Sequence, residues 1–327
     1  MRRREFITLL GASAATWPLA ARAQQRSQPL IGFLDTRSPD ELADRLRAFR
    51  EGLKEAGYVE GENVTILYRW ADNKIDRMPA LAADLVRRRV AALVAPTTAA
   101  ALTAKAASNT IPTIFSVGSD PVALGLVSSL NRPGGNATGV NSFLNELVEK
   151  RLELLREFVP NANYVAVLVN PTNVALAETM RRDAEAAAGP LALRIKLFNA
   201  ATGDEIHAAF EQIALERPDA LFLGSDPFFL PRRVQLATLA TRHGLPTSFS
   251  ARYGPEVGGL MSYGTNINDS MHQVGIYTGR VLKGEKPAGL PIVQATRFEL
   301  VINLSTAKAL GLKVPANLLA IADEVIE

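Results

Sequence analysis

The sequence of 327 residues contains no cysteine. This absence excludes disulfide bonds, thiolate metal ligands, cysteine nucleophiles and cysteine lipidation. Histidine is nearly as scarce, because His207, His243 and His272 are the only three and their spacing is not that of metal ligands. We therefore expect neither a metal nor another cofactor. No run of eighteen or more apolar residues occurs, so we expect no permanent membrane span.

A strong excess of one charge is also missing from most of the chain. The 36 basic and 33 acidic side chains give a net charge of +3. The first 23 residues contain Arg2, Arg3, Arg4 and Arg22 against the single acid Glu5, so the rest of the chain carries 32 side chains of each sign. A neutral chain does not favour binding to nucleic acid.

The N-terminus has the order of an export signal. Three arginines precede a short apolar run over residues 7–20, and Ala21-Arg22-Ala23 follows it as a small-residue cleavage motif. Arg3-Arg4-Glu5-Phe6-Ile7 resembles the twin-arginine variant of such signals. The alternative is an amphipathic surface helix, which Gly11 and Pro18 disfavour. We predict cleavage after Ala23 and a soluble periplasmic protein with no stable membrane anchor.

Strand and helix patterns alternate from Leu30 onward, as short apolar runs and segments of helical period. The order β-α-β-α predicts a parallel sheet, because parallel neighbours need crossover connections. The first series has predicted strands at 30–34, 64–70, 90–95 and 112–117, with helices at 39–57, 78–89 and 98–108 between them.

A dense turn cluster at residues 131–136 separates this series from a second one. We predict a strand at 138–142 leading out of the first series. The second series has predicted helices at 146–158, 175–188, 203–216 and 231–243 and strands at 164–169, 191–198, 220–223 and 246–250. The predicted tail has strands near 258–264 and 297–303 and helices at 268–283 and 305–310.

The fold class predicted from this order is α/β, with two doubly wound parallel-sheet lobes joined by a hinge that the chain crosses more than once. We predict a signal peptide at residues 1–23. The N-terminal lobe is predicted at 24–140 plus about 263–290, and the C-terminal lobe at 141–262 plus about 291–327.

Polar residues follow nearly every predicted strand. Ligands of open α/β sheets bind at the carboxyl ends of the strands, where helix N-termini also converge. Hydroxyls there can hold a carboxylate, an aspartate can pair with an ammonium group, and an aromatic ring can stack on a flat ligand. Taken singly, a Ser, Thr, Asp or Asn before a helix is more typical of a helix cap, and only the accumulation of such residues at the strand ends favours binding. The candidate ligand-binding residues are Asp35, Thr36, Trp70, Thr97, Thr98, Ser116, Ser119, Asp120, Asn170, Asp226 and Tyr253.

Motifs of catalysis are missing from the sequence. It contains no G-x-S-x-G nucleophile elbow, no phosphate-binding G-x-x-x-x-G-K-[ST], and no G-x-G-x-x-G after the first strand. We therefore predict a binding protein with no catalytic residues.

Several short motifs together resemble a known family. They include Phe49-Arg50-Glu51-Gly52-Leu53, Tyr68-Arg69-Trp70-Ala71, Gly258-Gly259-Leu260-Met261-Ser262-Tyr263-Gly264 and Ala322-Asp323-Glu324-Val325-Ile326. In combination they are similar to the ABC-transporter substrate-binding proteins of the tryptophan/tyrosine-type family. The resemblance implies a type I periplasmic-binding-protein fold and an ABC permease and its ATPase as partners. It also implies a site for a ligand carboxylate, at the matching positions Thr97, Thr98, Ser116, Ser119 and Asp120.

The leading hypothesis is a monomeric periplasmic solute receptor of an ABC importer, which binds a small amino acid-like or aromatic carboxylate. A periplasmic sensor that presents its ligand to a membrane kinase would have the same sequence features. An α/β enzyme is the third alternative, and it would need a catalytic group that the sequence does not reveal.

Overall fold

The computed structural model describes residues 28–143 and 147–327. The predicted export signal at 1–23 lies outside these residues. The described chain forms two α/β lobes, each built on its own sheet. Within these residues, no helix is long and apolar enough to cross a membrane.

The first lobe is built on six described strands, all parallel, in the order β11-β5-β4-β3-β1-β2. The chain order of its elements follows the predicted alternation of strand and helix. The strands are β1 (Leu30–Asp35), β2 (Thr65–Trp70), β3 (Ala92–Ala95), β4 (Thr113–Val117), β5 (Ala137–Asn141) and β11 (Val293–Gln294). Its helices are α1 (Ala43–Glu55), α2 (Met78–Arg87), α3 (Thr98–Ala107) and the returning α8 (Ile267–Leu282).

The second lobe is built on seven described strands in the order β13-β12-β10-β9-β8-β6-β7. The strands are β6 (Tyr164–Val169), β7 (Arg194–Asn199), β8 (Ala220–Leu223), β9 (Thr247–Phe249), β10 (Met261–Thr265), β12 (Phe298–Asn303) and β13 (Glu324–Ile326). Its helices are α4 (Val148–Phe158), α5 (Val174–Ala188), α6 (Gly203–Glu216), α7 (Arg233–Arg242), α9 (Leu304–Ala309) and α10 (Ala316–Ile321).

One pair in the second sheet departs from the predicted parallel arrangement. β10 and β12 are antiparallel, with Thr265 opposite Phe298. β10 ends where the chain leaves for the first lobe, and β12 begins where it comes back. β12 therefore starts at the end of the sheet where β10 stops, and it runs in the opposite direction.

Each sheet is covered on both faces. Successive residues of β1 separate into two apolar clusters, since Phe33 packs with Phe49 and Val274 while Leu34 packs with Leu85 and other residues of the opposite face. β6 divides in the same way into two further clusters. Side chains of a strand alternate between faces, so a continuous apolar strand is the pattern of a sheet buried on both sides.

The chain changes lobe at three places in the described residues: after β5, after β10 and after β11. The predicted boundaries differ from this by a few residues. The boundary at 263 falls inside β10, which lies wholly in the second sheet, and β11 lies beyond the boundary at 290 but pairs with β5. The chain crosses only where a strand ends, and a strand of two residues gives no sequence signal.

Candidate functional site

A cavity lies between the lobes, where the carboxyl ends of strands from both sheets face each other. It has about 970 Å³ of empty space, including the part open to solvent. Both lobes contribute polar side chains to its wall. Those of the first lobe are Thr36, Arg37, Arg45, Asn73, Thr97, Thr98 and Ser116, and those that follow the first crossing are Ser142, Asn170, Asn173, Ser225, Asp226, Ser250 and Tyr253.

The eleven predicted site residues separate into two groups. Seven line this cavity: Thr36, Thr97, Thr98, Ser116, Asn170, Asp226 and Tyr253. Asp35, Trp70, Ser119 and Asp120 are not part of its wall. Most candidates chosen because they follow a strand thus do line one cavity. The same choice also included four residues that follow these strands but lie outside the cavity wall.

The hydroxyls of the first lobe differ in what they already bind. The Thr97 side chain accepts a hydrogen bond from the Ala100 amide at 3.2 Å and so caps α3. Ser116 is buried and its hydroxyl makes no hydrogen bond within the described part of the chain. The Thr36 hydroxyl is likewise buried without a partner among the described residues. A buried polar atom without a partner is costly, so the Thr36 hydroxyl favours a polar ligand in the cavity. The Ser116 hydroxyl, which lines the same cavity, is available to bind one.

Asp226 organises the wall formed by the second lobe. Its Oδ1 accepts from the Asn170 side-chain amide at 3.1 Å and from the Phe228 backbone amide at 2.8 Å. Its Oδ2 accepts from the Asn173 side-chain amide at 3.0 Å. Burial raises the pKa of Asp226, and these hydrogen bonds oppose the rise. Because Oδ2 of Asp226 accepts only this one hydrogen bond from the described residues, it can accept another from a ligand.

Asp35 has a different partner from the one predicted. The guanidinium of Arg37 donates to both oxygens of Asp35, at 2.8 and 2.6 Å, and both side chains are buried. The Arg37 backbone amide donates to the same carboxylate at 2.9 Å. Asp35 is thus saturated by its own loop, and it fixes Arg37 in the cavity wall.

Aromatic side chains from the second lobe reach the cavity, whereas the predicted Trp70 does not. Trp70 stacks on Tyr68 with an interplanar angle of 6° and lies against Phe33 in the first lobe. In the cavity wall, the Tyr253 hydroxyl is 2.9 Å from that of Ser250. Phe228 also lines the wall, and the guanidinium of Arg232, outside the wall, lies 3.8 Å from its ring centre.

Ser119 and Asp120 lie in a different depression, which residues of α5 also line. Asp120 accepts from the Val122 amide at 2.8 Å and so holds its own turn. Within residues 28–143 and 147–327, no cluster of three or more acidic or histidine side chains is placed to hold a metal ion.

Several lining residues were not predicted as site residues. Four of them follow the same strands as predicted candidates, so the strand-end pattern could have included them: Arg37, Asn173, Ser225 and Phe228. Arg45 could not be found this way. It lies in the first turn of α1, and the sequence does not reveal that this turn faces the opposite lobe.

The family of the protein follows from comparison with known sequences. The family described as "ABC transporter substrate binding protein" matches residues 32–326. The chain therefore belongs to this family of solute receptors. A curated relative is the tyrosine-binding protein of Clostridioides difficile, which is 24% identical over 292 residues, covering 89% of this chain and 84% of the relative.

Solved structures share the arrangement of both lobes. An ABC domain from Streptococcus pneumoniae in complex with L-Trp is 26% identical, covers 92% of this chain and 100% of its own, and superposes with a TM-score of 0.80. A conserved domain protein from Vibrio cholerae is also 26% identical, with coverage of 91% and 100% and a TM-score of 0.82. The fold is thus that of the periplasmic binding proteins.

Proposed function

We propose that the protein binds a small amino acid-like or aromatic carboxylate between its lobes and delivers it to an ABC permease and its ATPase. The observation that carries this proposal is the composition of the cavity. Hydroxyls and the start of α3 line it from one lobe, and a buried aspartate with two aromatic rings lines it from the other.

The first lobe supplies donors for a carboxylate. The Ser116 hydroxyl has no partner within the described residues, and Thr98 is the first residue of α3. The backbone amides at the start of a helix lack partners within the helix and attract an anion through the helix dipole. Ser116 and Thr98 together with these amides are the proposed contacts of the carboxylate.

The second lobe supplies the groups for the rest of the ligand. Oδ2 of Asp226 can accept one more hydrogen bond, which an ammonium group would donate. Phe228 and Tyr253 offer ring surface for an apolar or flat side chain. Known ligands of the relatives support this class, since one relative is named as a tyrosine-binding protein and another was solved with L-Trp.

Binding of this kind requires no chemistry from the protein. A ligand that contacts both walls binds the closed form more tightly than the open form, so it shifts the equilibrium toward closure. The closed form is the proposed docking partner of the permease. The expected export signal at 1–23 supports a periplasmic location for this step.

A thermal-shift screen of amino acids, aromatic acids and small carboxylates tests the proposal. We expect at least one member to raise the melting temperature of the purified protein and to bind with one-to-one stoichiometry in calorimetry. The recovered ligand should be chemically unchanged. If no member of the panel stabilises the protein, or if the ligand is turned over, the proposed function is wrong.

A further inference from the structure

A second cavity continues the cleft past the proposed ligand site. The two cavities share Arg45, Leu230, Ala251, Tyr253 and Ile267 in their walls. Thr98, Ser116 and Asp226 line the first cavity alone. Arg45 and Tyr253 therefore lie where the two cavities meet.

Two arginines from opposite lobes face this second cavity. Arg45 comes from α1 of the first lobe and Arg233 from α7 of the second lobe, and both are half-buried. Arg233 donates to the Leu230 carbonyl at 3.1 Å. Among the described side chains, no carboxylate forms an ion pair with either arginine.

The acidic side chains around the second cavity have other partners or face solvent, and Arg252 is shared by three carboxylates, including Glu324. Glu256 and Glu299 both pair with Arg252, at 2.6 and 3.5 Å. Asp44 pairs with Arg47 at 2.9 Å, and Asp40 is exposed to solvent. None of the four carboxylates in the cavity wall forms an ion pair with Arg45 or Arg233.

The surroundings of Arg45 disfavour its charge. Burial and the neighbouring charge of Arg37 lower the pKa of Arg45 to about 9; Tyr253 and the Asp35 carboxylate oppose this fall, and Arg233 adds a smaller lowering effect. The guanidinium still carries its proton at neutral pH. Two like charges that meet across a cleft repel each other unless an anion lies between them.

We propose that Arg45, Arg233 and Tyr253 form an anion subsite that clamps a second acidic group of the ligand between the lobes. This inference rests on the proposed ligand site, because the first carboxylate is the one that Ser116, Thr98 and the start of α3 hold. The ligand class is therefore a small molecule with two acidic ends, such as an aromatic dicarboxylate or an amino acid with a carboxylated ring.

Matched ligand pairs test the subsite. The probes are phenylalanine against para-carboxyphenylalanine and benzoate against terephthalate, each measured by calorimetry with the purified protein. In the wild type, we expect the additional carboxylate to strengthen binding by at least about tenfold, as a desolvated charge-assisted contact does. In Arg45→Gln and in Arg233→Gln, this preference should fall to less than about threefold.

Control variants separate this effect from misfolding. Arg45→Lys keeps the charge and should keep a large part of the preference. Lys54→Gln removes an exposed positive charge from the same helix without lining either cavity, and it should leave the preference unchanged. The melting temperature of the unliganded Arg45→Gln protein should be equal to or above that of the wild type, because the substitution removes a repulsion.

The outcomes are distinct. If the wild type binds phenylalanine or benzoate but gains nothing from the second carboxylate, the proposed function stands and the subsite is rejected. If Arg45→Gln weakens the binding of both ligands of a pair by the same factor, Arg45 holds the first carboxylate, and the subsite is again rejected. If the wild type binds none of the four probes, both the ligand class and the subsite are rejected.

Discussion

Gly52 of α1 lies directly against the carbonyl oxygen of His272 in α8, so close that a Cβ atom on Gly52 would overlap it. Gly275 of α8 lies against the Phe49 carbonyl of α1 in the same way. The two helices therefore approach backbone to backbone. This contact fixes α8, the helix that follows the second crossing between the lobes, to the first lobe.

Gly52→Ala should destabilise the protein strongly, because the new methyl group meets backbone atoms that cannot move aside without separating the helices. We expect a loss of about 2–4 kcal/mol in the free energy of unfolding, as for other overpacked contacts. Urea denaturation measures this loss. Gly189→Ala is the matched control, since a Cβ there meets no atom within 4 Å and φ is −58°. A loss that is no larger in Gly52→Ala than in this control would contradict the close contact.

Removing one member of the buried Asp35–Arg37 pair should also cost stability. In Arg37→Met, the Asp35 carboxylate stays buried without its bidentate partner, and such a loss is typically about 3–5 kcal/mol. The double variant Asp35→Leu with Arg37→Met should recover much of this loss, because no charge is left unpaired. Denaturant unfolding of the three proteins is the measurement. An equally unstable double variant would mean that the pair acts through more than its charges.

The two kinds of hydroxyl in the first lobe should respond differently to removal. Thr97→Ala removes the cap of α3 and should lower the stability of the unliganded protein by about 1 kcal/mol. Ser116→Ala should weaken ligand binding by about tenfold and leave the unliganded protein unchanged, since its hydroxyl has no partner in the described structure. Ser119→Ala is the control outside the cavity. Equal binding losses in Ser116→Ala and Ser119→Ala would place the carboxylate elsewhere.

Asp226 should make both stability and binding depend on pH. Its folded pKa lies above the ordinary value of 3.8 because the carboxylate is buried. The folded chain thus binds the proton more tightly than the unfolded chain. The resulting contribution to stability is fully present below pH 3.8 and is lost as the pH rises through the folded pKa. Affinity for an ammonium group shows the opposite trend, because only the ionised carboxylate attracts it.

Asp226→Asn should therefore make the melting temperature depend less on pH at values from 3.8 upward. It should also weaken the binding of an amino acid more than the binding of its analogue without the ammonium group. Melting curves at a series of pH values and calorimetry with phenylalanine and phenylpropionate measure the two effects. If the variant weakens both ligands equally, Asp226 shapes the cavity through Asn170 and Asn173 without contacting the ammonium group.

Periodicity was sufficient to predict most of the fold. The strand Tyr164–Val169 and the helix Gly203–Glu216 have the predicted bounds, because each is long and bounded by clear turn or cap residues. The short edge strands Val293–Gln294 and Glu324–Ile326 were missed, since two or three residues define no period. The antiparallel direction of β12 was missed as well, because an apolar run has the same pattern in either direction.

The site was predictable to the extent that it lies at strand ends. That rule named Thr97 and Asp226 as candidates, and both line the cavity. The rule cannot say which neighbour points into the cavity and which turns back, as Trp70 does toward Tyr68. Arg45 depends on how a helix of one lobe faces the other lobe. That relationship exists only in the folded chain, and a single sequence does not encode it locally.

The three crossings also determine when each lobe can be finished during synthesis. The first sheet lacks its edge strand until residue 294 has been made, and the second lacks β12 and β13 until residues 303 and 326. The first sheet is therefore completed only just before the third crossing, and the second sheet only after it. No single cut of the polypeptide can release one whole lobe, so a gene for an isolated lobe must join segments that are separate in the natural sequence.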